Sequence, residues 1–169
     1  MGYELPAAIG ACIASKRPVI CVAGDGGMQL NVQELAVIAG RKLPIKIFVV
    51  NNGGYSSIRN MQRNHFNGRY IASNEETGLY IPDMKALAAA YGVNSSRIEE
   101  ESELYEGVKE ALEADGPFLC DVVIDPMCTV APRSTTKVLA DGSIVSTPLE
   151  DLFPFLPEEE LKKEMEGFV

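Results

Sequence analysis

The chain has 169 residues, enough for one domain with a full core and too short for two of ordinary size. Its apolar share of 46% argues against a disordered chain. A net charge of −9 argues against the basic surface that nucleic acid or an anionic membrane requires, but leaves room for a phosphate held by backbone N–H groups and a metal.

Residues 4–17, "ELPAAIGACIASKR", read as a helix of small and apolar residues with a basic end, stopped before Pro18. "PVICVAG" (18–24) is a short β-branched apolar run, the pattern of a buried strand. Residues 30–42 predict a helix, with Asn31 as N-cap and Glu34 three positions later completing a capping box. "IKIFVVNN" (45–52) is the clearest strand, followed by the glycine turn "NNGG" (51–54) and a short polar helix over 56–65. Pro82 opens and Gly92 closes a helix over 82–92. A short strand at 93–98 precedes an amphipathic helix over 102–115, in which Leu104, Val108, Ala111 and Leu112 share a face. "PFLCDVVID" (117–125) is the last strand. Strands alternating with helices predict an α/β domain over 1–125, a parallel sheet with helices on both faces. Residues 126–169 lack that rhythm. They predict an extended tail with a turn at 140–143 and a short solvated helix over 157–168.

Four cysteines without a C-x-x-C pair, and His65 as the single histidine, argue against zinc. Cys12, Cys21 and Cys120 read as small core residues. No signal peptide and no 18-residue apolar span occur in the sequence, so a cytoplasmic protein is expected.

In an open α/β sheet, ligands sit beyond the carboxyl ends of the strands. Two glycine loops leave strands at that edge, Gly24-Asp25-Gly26-Gly27 and Asn51-Asn52-Gly53-Gly54. If their strands are neighbours, Asp25 and Asn52 share one small volume. A carboxylate, an amide carbonyl and backbone carbonyls are hard donors suited to Mg²⁺ or Ca²⁺. Gly26 and Gly27, free of side-chain bulk, would admit a phosphate at the positive end of the following helix. G-x-G-x-x-G, G-K-[ST] and EF-hand patterns are absent from the sequence, and the paired acids of a phospho-receiver domain are missing beside Asp25.

The segment "GDGGMQLNVQELAVIAGRKLPIKIFVVNN", in which Asn52 follows Asp25 by 27 positions, resembles the two-part motif of thiamine diphosphate enzymes. "MGYELPAAIGA" (1–11) is similar to the segment preceding that motif in acetolactate synthases. The resemblance implies the thiamine diphosphate-binding fold and a cofactor site at Gly24, Asp25, Gly26, Gly27, Asn52, Gly54 and Tyr55. It implies Mg²⁺ on Asp25, Asn52 and the Gly54 carbonyl, with N–H groups around Gly26, Gly27 and Tyr55 touching the diphosphate. The implied chemistry is decarboxylation of a 2-oxoacid, the cofactor holding the electrons, followed by carboligation.

In that family a glutamate that activates the aminopyrimidine ring belongs to a separate N-terminal domain. The resemblance therefore implies such a domain as partner, in a longer chain or another subunit, and a homo-oligomer, with no catalytic residue in these 169. Ser56 and Met61 are the expected pocket residues. Met61 stands where acetolactate synthases usually carry tryptophan, and the chain has no Trp. That departure keeps a plain 2-oxoacid decarboxylase as an alternative, beside a non-catalytic Mg²⁺-dependent binding module. Arg59, Arg63 and Arg69 are read either as solvated or as partners of a substrate carboxylate.

Overall fold

The structure is a computed structural model, and it describes residues 1–128, 130–139 and 141–166. The chain divides by its contacts into two units, Met1–Met127 and Cys128–Val169.

The first unit holds α1 (Glu4–Ser15), β1 (Val19–Gly24), α2 (Asp25–Gln29), α3 (Leu35–Gly40), β2 (Ile45–Asn51), α4 (Ser56–His65), α5 (Met84–Ala90), β3 (Asn94–Ile98), α6 (Leu104–Glu113) and β4 (Phe118–Val123). Its four strands are all parallel, in the order β1-β2-β4-β3. Alternation along the strands sorts the core into two faces. Cys21, Ala23, Ile45, Ile47, Val49 and Leu119 point to one face and meet Leu5, Ala8 and Cys12 of α1, Leu35 and Ile38 of α3, and Met84 and Ala88 of α5. Phe118, Cys120 and Phe48 point to the other and meet Val108 and Ala111 of α6. The α/β class with a parallel sheet and helices on both faces is therefore as predicted. Lys46, on the α6 side, donates to the carbonyls of Ala114 and Gly116 (2.8 Å for the latter) and so closes the end of α6.

That second face is covered only in part. Ile20 and Val22 of β1, an edge strand, are 60% and 62% exposed. Of the four residues expected to share a face of α6, Ala111 is buried and Val108 half-buried, while Leu104 and Leu112 are about half exposed. No helix among the described residues is long and apolar enough to cross a membrane.

The predicted single helix over 30–42 is corrected. Its stretch is a 3₁₀ turn, Val32–Glu34, followed by the short α3, and the helix that the glycines open is α2, beginning at Asp25 itself. Asn31 makes no side-chain cap; its amide donates to the Gly2 carbonyl at 2.6 Å, tying down the N-terminus. A side chain with a stronger long-range partner has overridden its local preference.

In the second unit, residues expected to be extended form a two-stranded antiparallel ribbon, β5 (Thr136–Val138) with β6 (Ile144–Ser146). Arg133 and Phe153 pair antiparallel, and Lys137 pairs with Asp151. The ribbon turns through Asp141–Ser143, where the Asp141 carboxylate accepts from the Ser143 N–H at 2.9 Å. Ala140, part of the predicted turn, lies outside the described residues. The predicted C-terminal helix is α7 (Glu158–Met165); Gly167 and Phe168, its expected last residues, also lie outside them.

Candidate functional site

β1 and β2 are hydrogen-bonded neighbours, with Gly24 opposite Val50, so both glycine loops leave the sheet side by side at its carboxyl edge. Asp25 is fully buried. Its Oδ1 accepts from the Gly26 N–H at 2.7 Å, and its Oδ2 accepts from the Gly54 N–H at 2.8 Å. The second bond joins the two loops. Burial pushes the Asp25 carboxyl above its ordinary value, opposed by those backbone donors and by the charge of Arg59. A buried carboxylate with no direct ion pair among the described residues is an acceptor for a cation.

A cavity of about 200 Å³ is lined by Met1, Glu4, Gly24, Gly27, Asn52, Gly54, Tyr55, Ser56 and Ser57; Asp25 is not in its lining but adjoins it through its neighbour Gly24 and its bond to Gly54. The glycines of the two loops mark where the chain comes close. A Cβ on Gly26 would stand 2.7 Å from the Tyr55 ring, and one on Gly27 would stand 2.8 Å from Glu4 Oε1. Gly54, at φ +136°, would place a Cβ 2.4 Å from the Ser73 carbonyl oxygen. One polar atom at the cavity lacks a partner: Glu4 Oε2 is buried without a hydrogen bond.

Most of the expected residues thus come together. Asn52, Gly54, Gly24, Gly27, Tyr55 and Ser56 line one cavity; Asp25 and Gly26 do not line it, Asp25 being bonded to the lining residue Gly54 and Gly26 packed against the Tyr55 ring. Met61 does not line it; it is 48% exposed on α4. The N–H of Gly26 is engaged by Asp25 and that of Tyr55 by the Ser73 carbonyl at 3.0 Å, so the Gly26 and Tyr55 donors serve the loop's own shape in this structure. His65 is exposed at the end of α4. Among the described residues no three of His, Cys, Asp and Glu gather as a cage. A cation held here would rest on one carboxylate with amide and carbonyl oxygens, the sparse set that Mg²⁺ tolerates when ligand oxygens complete its shell.

Three contributors escaped the sequence reading. Glu4 entered only as the first residue of the predicted helix over 4–17. Arg59, read with Arg63 and Arg69 as either solvated or a partner of a substrate carboxylate, is 5% exposed and donates back to the Asn52–Gly54 loop. Asp121, fully buried in β4, accepts from Asn51 Nδ2 at 2.9 Å and from Arg97 Nε at 2.7 Å, bracing the end of β2 just before Asn52. A lone aspartate inside the apolar run "FLCDVV" was the available signal for the last of these.

Comparison with known proteins adds an independent line. The family model described as "Thiamine pyrophosphate enzyme, C-terminal TPP binding domain" matches residues 1–122. The acetolactate synthase large subunit of Cyanidium caldarium is 39% identical over 125 residues, covering 73% of this chain and 21% of that protein. The acetolactate synthase isozyme 2 large subunit of Escherichia coli (strain K12) is 36% identical over 133 residues, covering 78% and 24%. Among solved structures, the Rhodococcus jostii RHA1 thiamine diphosphate-dependent 4-hydroxybenzoylformate decarboxylase superposes with a TM-score of 0.64 at 34% identity, covering 74% of this chain and 23% of that one. The chain spans about a fifth to a quarter of the length of the curated relatives it matches.

Proposed function

The chain belongs to the thiamine pyrophosphate enzyme family, as its C-terminal TPP binding domain, and from that premise we propose that it holds the diphosphate of thiamine diphosphate through Mg²⁺ within a 2-oxoacid enzyme. The observation that carries this reading is the Asp25–Gly54 bond, which unites the two halves of the motif beside a cavity lined by Asn52 and Gly54. Asp25, Asn52 Oδ1 and the Gly54 carbonyl are the donors for the cation. Gly26 and Gly27 keep the approach clear of side chains, as a Cβ at either would meet Tyr55 or Glu4. Tyr55 and Ser56 wall the cavity toward the substrate, and Met61 contributes only if the exposed end of α4 is covered.

Thiamine diphosphate, when bound, supplies the electron sink for loss of CO₂ from a 2-oxoacid. The groups acting on its aminopyrimidine ring belong, on this reading, to an N-terminal domain in a longer chain or a second subunit. The uncovered Ile20 and Val22 on the edge strand support such a partner surface, as do the longer relatives. A cytoplasmic homo-oligomer that decarboxylates and then ligates, as the names of the acetolactate synthase relatives suggest, is the favoured whole. The decarboxylase neighbour favours a second reading, in which the aldehyde is simply released. Product analysis of the enzyme joined to its N-terminal domain, supplied with pyruvate, separates the two. Acetolactate is expected; acetaldehyde alone overturns the ligase reading in favour of the decarboxylase.

A further inference from the structure

We infer that Arg59 is a positioning residue that locks the Asn52–Gly54 loop into the shape needed to hold the cation, an inference that rests on the site proposed above. Arg59 lies in the first turn of α4, directly after the loop, and is 5% exposed. Its guanidinium donates to five oxygens from three chain segments. Nη2 reaches the Pro126 carbonyl at 2.8 Å, the Asn52 carbonyl at 2.9 Å and Asn52 Oδ1 at 3.5 Å. Nη1 reaches the Ser73 carbonyl at 3.3 Å and the Gly53 carbonyl at 3.4 Å.

Four of these acceptors are main-chain carbonyls, and among the described residues no carboxylate lies within ion-pair distance of Arg59. Burying a guanidinium this way is costly, and an apolar side chain would fill the volume more cheaply. What the fork supplies is direction. It draws back the carbonyls of Asn52 and Gly53, two consecutive peptides, on either side of positive-φ Gly53. With those planes held, the Gly54 N–H meets Asp25 and the Tyr55 N–H meets Ser73, whose carbonyl Arg59 also grips. The longest contact of Arg59, to Asn52 Oδ1, is to the one side-chain oxygen of the loop that a metal would take.

Lysine keeps the charge and length but loses the planar fork, so it satisfies fewer carbonyls. In the 169-residue chain, Arg59→Lys and Arg59→Met are compared with wild type by calorimetric titration of thiamine diphosphate in saturating Mg²⁺, and by amide hydrogen exchange without ligand. Affinity is expected to fall about tenfold or more in Arg59→Met, with partial recovery in Arg59→Lys. Exchange at Gly54 and Tyr55 should accelerate about tenfold in both, while the sheet amides of Ile47 and Val49 keep their rates. Wild-type affinity together with wild-type exchange in the variants would overturn the inference, as would uniform acceleration throughout the sheet, the mark of a merely structural role. If Arg59→Met fails to fold, Arg59→Lys decides by the same two readouts. If wild type binds no cofactor even at millimolar concentration with the N-terminal domain restored, while loop exchange responds as expected, the site reading fails and the clamp on the loop stands.

Discussion

Gly54 carries two constraints at once, a positive φ and a carbonyl oxygen in the place of its missing Cβ. Its neighbour Gly53 has φ +70° but open space around it. Replacing Gly53 by alanine should therefore cost about 1 kcal/mol for the left-handed backbone alone. Replacing Gly54 should cost about 2 kcal/mol or more, because Ser73 must also move and its bond to Tyr55 goes with it. Denaturant unfolding of the two variants checks this, and equal losses would show that the close approach to Ser73 does not hold in solution. At this scale the sequence was most informative where glycine and aspartate occur together, since a turn has no need of a carboxylate. It was least informative for Arg59 and Glu4. Nothing in a polar helix reveals which arginine folds back, because the carbonyls that attract it come from residues 52, 53, 73 and 126, which only the tertiary fold assembles.

The elements were legible where periodicity alone decides. β2 and α4 fall within a residue of their predicted ends, and α5 takes Asp83 as its N-cap, with Asp83 Oδ1 accepting from the Ala86 N–H at 2.7 Å. They were illegible where a distant partner intervenes, as for Asn31 and the broken helix after it. The Asp83 cap also joins Arg97, which pairs onward with buried Asp121, so three elements share one charge network. The Ala86 N–H and then Arg97 hold the Asp83 carboxyl below its usual range. A carboxyl depressed by folding binds its proton more readily in the unfolded chain. Its contribution is complete above the unfolded value near ~3.9 and is lost as pH falls through the lower folded value. Asp83→Asn keeps the cap but not the charge. Its stability deficit against wild type should be present at pH 6 and close on acidification below about pH 4. Unfolding curves across that range test it, and a deficit that does not vary with pH would contradict the charge network.

For the whole molecule, the sheet class followed from the alternation of strands and helices, and the neighbouring of β1 and β2 made the two-part site possible. The ribbon of β5 and β6 was not legible, because its three-residue strands carry no pattern longer than the turn between them. The half-bare second face was not legible either, since Ile20 and Val22 read as core until the sheet shows β1 at its edge. The central claim is that this fold grips a diphosphate through a divalent cation seated on Asp25. Its most direct test is a calorimetric titration of thiamine diphosphate into the chain, with Mg²⁺ present and with it chelated, for wild type and Asp25→Ala. The account predicts binding that requires Mg²⁺ and disappears in Asp25→Ala. Binding that survives chelation or the substitution, or no binding by wild type even at millimolar cofactor with the N-terminal domain restored, would contradict it.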